Sequence, residues 1–217
     1  MNQLTPLTSY VPEDPSSENL LDNFLRYTTD QGLELYAAQE EAILEFFEGN
    51  HVILSTPTGS GKSLVALAAH FDALSKGERS FYSAPIKALV SEKFFSLCNE
   101  FGPDNVGMIT GDASVNAAAP IICCTQEIVA NLALRHGADA PIDNLVVDEF
   151  HYYSDRDRGW AWQVPLLELT NTQFLLMSAT LGPSTFFADD LQNRTFRSVA
   201  SVSVTVRPVP LSWEYRE

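Results

Sequence analysis

Apolar and polar positions along the chain alternate in two periods. Short apolar runs bounded by glycine, proline or serine read as strands, and longer stretches with apolar residues every three or four positions read as helices. The strand set is 51–55, 80–84, 106–110, 121–124, 145–148 and 173–178. The first helix covers SSENLLDNFLRYTTDQG, with Ser16 or Ser17 as its cap and Gly32 as its stop. AAQEEAILEFFEG forms the second, and 62–76, 86–101, 126–136 and roughly 160–169 complete the set, the last containing Pro165. Strands alternating with crossover helices predict an α/β, doubly wound, mainly parallel sheet with helices on both faces, whose ligands gather at the carboxyl ends of its strands. The tail, 198–206 and then 211–216, reads as extended chain after that unit has closed. There is no internal repeat or low-complexity segment.

Composition narrows the class. At 217 residues the expectation is one full domain plus appendages. With 45% hydrophobic and 19% charged residues, a disordered tail, a collagen-like repeat and a coiled coil are all excluded. No apolar run approaches the ~18 residues of a membrane span, and MNQLTPLTSYVPEDP lacks the basic flank and apolar stretch of a signal peptide, so the expected place is the cytoplasm. Cys98, Cys123 and Cys124 have no metal-site spacing and read as reduced thiols. A net charge of −15 argues against broad attraction to a phosphate backbone. Residues 1–50 hold ten acids and one base, Arg26, so much of the excess need not face a ligand. Any polyanion must be gripped locally.

Two elements carry chemistry. The strand HVILS runs into Thr56-Pro57-Thr58-Gly59-Ser60-Gly61-Lys62-Ser63 and then a helix. In that setting Thr58, Gly59, Ser60 and Gly61 let backbone N–H groups converge on a β-phosphate, Lys62 reaches the β- and γ-phosphates, and Ser63 ligates magnesium (Mg²⁺). Thr56 stands where the strict pattern has glycine. The second element is Leu145-Val146-Val147, a strand ending in Asp148-Glu149-Phe150-His151 at the same edge of the sheet. One acid, Asp148, holds the metal, and the next, Glu149, accepts the proton of an attacking water. Lys62, Asp148 and Glu149 are therefore the expected catalytic set.

On these residues the chain resembles superfamily-2 DExH-box helicases, in which threonine at the first loop position is ordinary. TPTGSGKS, DEFH and Met177-Ser178-Ala179-Thr180 are similar to motifs I, II and III. Ala84-Pro85-Ile86-Lys87-Ala88-Leu89 looks like motif Ia, Thr110-Gly111-Asp112 like the TGD element, and Thr125-Gln126-Glu127-Ile128 like motif Ib. DEFHYYSDRDRGWAW, with Asp157-Arg158-Gly159, resembles the superkiller-like subfamily, which feeds RNA to exosomes or exoribonucleases. The likeness spans roughly 35–191.

The resemblance implies a RecA-like first motor domain that uses ATP and Mg²⁺ and acts on single-stranded nucleic acid, RNA favoured over DNA. Gln39, at the place of the Q motif, would pair with adenine, and Tyr36 would pack on the base. Pro85, Lys87, Thr110, Gly111, Thr125 and Gln126 would face the nucleic acid. Free N–H groups at the starts of two helices, with Thr125 as a cap, could bind phosphates without net positive charge. His151, Ser178 and Thr180 would couple hydrolysis to domain movement. Ala37-Ala38 and Gln126 depart from prolines usual in the family. The family adds a second motor domain that supplies arginine fingers, and nothing after Arg197 resembles it. The expected division is an acidic extension over 1–34, a RecA-like domain over 35–200 and an extended segment over 201–217. An exoribonuclease partner is implied. A duplex translocase that does not separate strands remains an alternative, as does a P-loop kinase or nucleotide-binding module that ignores nucleic acid.

Overall fold

In the computed structural model, which describes residues 5–57, 59–182 and 184–203, fifteen α-helices and strands follow one another, with short 3₁₀ helices among them. They are α1 (Ser17–Asp30), α2 (Ala37–Phe47), β1 (His51–Ser55), α3 (Lys62–Lys76), β2 (Ser80–Ala84), α4 (Lys87–Phe101), β3 (Val106–Ile109) and β4 (Ser114–Val115). The rest are β5 (Ile121–Thr125), α5 (Gln126–His136), β6 (Asn144–Val147), α6 (Trp160–Glu168), β7 (Gln173–Ser178), α7 (Thr185–Thr195) and β8 (Val199–Ser203). The central strands β2, β5, β6 and β7 are buried along their whole length. A strand covered on both faces favours a near-continuous apolar run, which 121–124, 145–147 and 174–177 supply, while β2 also buries Ser80 and Ser83.

The strands form one sheet in the order β4-β3-β5-β2-β6-β7-β1-β8. Every pairing is parallel except that of β3 with β4. One face carries α1 to α4 over a core that includes Phe24, Phe46, Val65 and Phe71, and the other carries α5 to α7 over Phe150, Trp162 and Phe174. α1 shares the first of these cores: Leu20, Phe24 and Tyr27 are buried, and the Phe24 ring lies 5.9 Å from that of Phe71. Its cap is Ser16, whose hydroxyl accepts the Asn19 N–H at 3.5 Å. Among the described residues no helix is long and apolar enough to cross a membrane.

Three expectations change, the smallest being β4, a two-residue antiparallel partner of β3 too short to leave a pattern in the sequence. The stretch over 198–206 was expected to follow the closed unit, yet Val199–Ser203 joins the sheet beside β1, in register from His51↔Val199 to Ser55↔Ser203. Only Val202 of this edge strand is buried, so its apolar pattern is weak and the expected boundary at 200 falls inside a strand. α7 was not expected at all; Leu191 alone is buried there, and a helix with so narrow an apolar stripe leaves little periodicity to read. The segment 211–216 lies outside the described residues.

Strand order sorts the loops. Going along the carboxyl edge from β3, the turns are those of Thr110, Thr125 and Pro85, then Asp148, Ser178 and the loop before Lys62. The turns expected to meet nucleic acid and those expected to meet nucleotide thus form two contiguous triplets that adjoin between β2 and β6.

Candidate nucleotide and nucleic-acid site

The loop after β1 turns through two glycines with left-handed backbone, Gly59 (φ +84°) and Gly61 (φ +73°). Gly61 is also a close approach, since a Cβ there would collide with the Gln39 side-chain amide. Thr56, the departure from glycine, accepts a hydrogen bond from the Ser60 hydroxyl at 2.6 Å, a staple across the loop. Gln39 is buried and fully engaged. Its Oε1 accepts the Tyr36 N–H at 2.8 Å, and its Nε2 donates to the carbonyls of Ser60 (3.1 Å) and Gly61 (3.0 Å). The carboxamide therefore fastens α2 to the phosphate loop, with Tyr36 half exposed beside it. Thr58 lies outside the described residues.

α3 begins at Lys62 with no side-chain cap, which leaves its first N–H groups free for an anion. The Lys62 ammonium folds back on its own loop, donating to the carbonyls of Thr56 (2.8 Å) and Pro57 (3.3 Å). Burial lowers its pKa, while the charges of Glu149 and Asp148 pull the other way, which places all three groups in one field.

Asp148 follows β6 and is held on every side. Its N–H donates to Ser83 O at 2.9 Å, its Oδ1 accepts the Glu149 N–H at 2.9 Å, and its Oδ2 accepts the Tyr82 hydroxyl. Glu149 takes a left-handed backbone, φ +50°, rare for a residue with a side chain. His151 Nδ1 lies 3.4 Å from both Glu149 Oε2 and Ser178 Oγ, and Ser178 Oγ accepts the Thr180 N–H at 3.2 Å. Ser178 O accepts the Thr56 N–H at 3.2 Å, so the β7 turn touches both other turns of its triplet.

Two residues of this site, Tyr82 and Lys93, lie outside every motif in the sequence. Tyr82 is 2% exposed, and burial, then the Asp148 charge, raises its pKa well above the ordinary value, so the hydroxyl stays a donor. Lys93 lays its ammonium 5.2 Å from the Tyr82 ring centre and donates to Ser63 Oγ at 3.2 Å. The available signal for Tyr82 was a phenol hydroxyl in the middle of a segment read as a covered strand, where such a group needs a partner. Among the described residues no cluster of three or more His, Cys, Asp or Glu could hold a metal. Ser63 and Asp148 are hard oxygen donors, and Mg²⁺ suits such a set because it is bound by one or two protein oxygens together with phosphates and water.

The other triplet is tied together by its own pairs. Lys87, exposed at the start of α4, forms an ion pair with Asp112 at 2.7 Å, and the Thr110 hydroxyl donates to the same carboxylate at 2.9 Å. The bond from Lys87, then that from Thr110, holds the Asp112 carboxyl below its usual range. Gly111 is exposed between them. Pro85 is buried, and its carbonyl accepts from Arg158 at 2.6 Å. Two expectations need correction. Thr125 occupies the cap position of α5 but makes no side-chain capping bond. Gln126 is fully buried and spends its amide on the Ala161 carbonyl at 3.0 Å, so it presents no surface to a nucleic acid; its polar side chain satisfies α6 instead.

Arg158, which the sequence singles out within Asp157-Arg158-Gly159 without a partner, finds its partners here. Asp155 Oδ1 accepts the N–H groups of Asp157 (2.9 Å) and Arg158 (2.8 Å), making the turn that aims the guanidinium. Gly159 completes it, because a Cβ there would run into the carbonyls of Tyr153 and Asp155. Arg158 then bonds Glu127 through both Nε (3.0 Å) and Nη2 (2.6 Å).

The family model described as DEAD/DEAH box helicase matches residues 36–186. The chain is 37% identical over 188 residues to the DExH-box ATP-dependent RNA helicase DExH15, chloroplastic, of Arabidopsis thaliana, covering 82% of this chain and 16% of that protein. It is 34% identical over 190 residues to the antiviral helicase SKI2 of Saccharomyces cerevisiae, covering 85% and 15%. The chain thus spans about a sixth of the length of these curated relatives. Among solved structures, the DUF1998 helicase MrfA bound to DNA superimposes with a TM-score of 0.66 at 20% identity, over 92% of this chain and 30% of that one, a likeness of fold.

Proposed function

Because the chain belongs to the DEAD/DEAH box helicase family, we propose that it is the first motor domain of an ATP-dependent, superkiller-like helicase that acts on single-stranded nucleic acid, RNA in preference to DNA. The observation that carries this reading is the edge of the sheet, where strand order sets three nucleotide-type turns beside three nucleic-acid-type turns. A metabolic kinase has no use for the second triplet.

The chemistry follows from the residues. Lys62 leaves the Thr56 and Pro57 carbonyls for the β- and γ-phosphates, joined by the free N–H groups of α3. Gln39 exchanges its bond to Tyr36 for the adenine edge, and Tyr36 covers the base. Ser63 and Asp148 would hold Mg²⁺, which when bound neutralises phosphate charge. Glu149 takes a proton from water as its oxygen attacks the γ-phosphorus, the bond to the ADP oxygen breaks, and the proton then passes to solvent or phosphate. His151, Ser178 and Thr180 form the contact through which that event reaches the neighbouring turns.

On the other triplet, backbone N–H groups at the starts of α4 and α5, together with Thr110 and Gly111, meet phosphates, and Lys87 exchanges Asp112 for the backbone. This local grip reconciles nucleic acid with a chain of net charge −15. A second motor domain, an exoribonuclease partner and a cytoplasmic setting belong to the same proposal. It is tested by ATP hydrolysis in the longest polypeptide carrying this domain, with single-stranded RNA, single-stranded DNA or duplex added. Stimulation by single strands, greatest with RNA, is expected; turnover indifferent to every nucleic acid overturns it.

A further inference from the structure

We propose that Tyr82 is a positioning residue for Asp148, acting across the boundary between the two triplets to hold the metal-binding carboxylate in place. This rests on the nucleotide site proposed above and names a residue that neither the phosphate loop nor the DEFH segment contains.

β2 and β6 are neighbours, with Tyr82 opposite Val146 and Ser83 opposite Val147. The strand that leads into the Pro85 turn therefore runs alongside the strand that delivers Asp148. Asp148 takes two bonds from this one neighbour: its N–H goes to Ser83 O, and its Oδ2 accepts the Tyr82 hydroxyl. With Oδ1 on the Glu149 N–H, both carboxylate oxygens are fixed before any ligand arrives.

Tyr82 is itself fixed. It is 2% exposed, the His70 ring lies 6.1 Å away, and Lys93 of α4 sits over its face while donating to Ser63. Both protein oxygens suited to the metal, those of Ser63 and Asp148, are thus held by side chains of β2 and α4, the pair of elements that flanks the Pro85 turn. Partners that orient a ligating carboxylate typically matter by about 10–100-fold in metal affinity. A shift of the Pro85 turn on nucleic-acid binding would reach the metal end of the site through Tyr82.

The test is titration of Mg²⁺ into the 217-residue chain with a fluorescent ADP analogue, comparing wild type, Tyr82→Phe, Asp148→Asn and the double variant. Phenylalanine keeps the ring and removes the hydroxyl. Tyr82→Phe is expected to raise the Mg²⁺ concentration for half-maximal response about 10–100-fold, with nucleotide binding in EDTA and the thermal midpoint close to wild type. In the Asp148→Asn background the same change should add nothing, because the group it acts through has gone. The assignment is overturned by an unchanged Mg²⁺ response, by an equal loss in EDTA, by additive effects in the double variant, or by a Tyr82→Phe chain that does not fold. Lys62→Ala separates the two levels. If it leaves nucleotide binding intact, the nucleotide site itself is misplaced and this proposal falls with it; if it abolishes binding while Tyr82→Phe changes nothing, only the role of Tyr82 is lost.

Discussion

Glu149 holds a backbone conformation that costs a non-glycine residue about 1–3 kcal/mol, and such strain persists only where the surroundings over-determine it. Here the surroundings are identifiable: its N–H is fixed on Asp148 Oδ1, and its carbonyl accepts the Tyr152 N–H at 3.1 Å as the next turn begins. The bend separates the two carboxylates, leaving Asp148 locked by Tyr82 and Glu149 about one-third exposed beside His151. A locked acid suits a metal and an open one suits water. Glu149→Gln should therefore retain Mg²⁺-dependent nucleotide binding and lose turnover by ~10²-fold or more, since a general base typically contributes 10²–10⁴-fold. Single-turnover hydrolysis in the longest polypeptide carrying the domain checks this, and near-normal rates would move the base elsewhere.

Between elements, the junction of α5, the β2 turn and the start of α6 depends on one guanidinium. Arg158 joins Glu127 of α5 to the Pro85 carbonyl and lies 5.7 Å from the Trp162 ring centre. Its planar fork supplies several donors at once, which a lysine ammonium on a flexible stem does not reproduce. The pair is more than a third exposed on the arginine side, so solvent screens it and its worth is modest. Arg158→Lys is expected to lower unfolding stability by only about 1 kcal/mol. Affinity for single-stranded RNA should nevertheless weaken several-fold, because both helix starts lose their common anchor, while nucleotide binding stays near wild type. Urea denaturation and RNA titration together measure this; unaltered RNA binding would make the clamp a matter of stability alone.

For the molecule as a whole, acid sensitivity is built into two buried histidines. His51 accepts the Phe174 N–H at 3.0 Å on Nδ1 and meets Thr195 Oγ1 at 2.7 Å through Nε2, so it ties β1, β7 and α7 together in its neutral form. Burial, then the charge of Arg197, lowers its pKa to about 4, and burial lowers that of His70 to about 3. In the unfolded chain both protonate near 6.5. The stability due to their neutral burial is thus complete above about pH 6.5 and is lost as pH falls toward those lower values. Each contributes a slope of up to roughly 1.4 kcal/mol per pH unit within that window. Asp72, whose pKa burial raises, acts with the opposite sign, so the comparison must be made between variants. His51→Asn should be less stable at pH 7 and show a slope about one proton shallower between pH 6 and 5 by urea denaturation. Parallel pH profiles would show that His51 does not titrate with unfolding.

What could be read along the chain was whatever local physics dictates. The strands 51–55, 80–84 and 173–178 and the helices 62–76 and 126–136 coincide with the observed elements, because short covered runs bounded by turn signals become strands and the longer periodic stretches between turns become helices. The glycine-rich loop and the paired acids were legible for the same reason: each depends on backbone geometry within a few residues. Which turns stand side by side was decided only by strand order, which brings β2 against β6 and sets Tyr82 on Asp148, 66 positions away. The same ordering buries Gln126 against Ala161 and draws Val199–Ser203 into the edge of the sheet. A side chain's partner across a sheet is a property of the packing of distant segments, and residue type alone carries no record of it: Gln126 reads as an exposed polar contact until α6 is laid over it, and Tyr82 as ordinary core until Asp148 arrives at its hydroxyl.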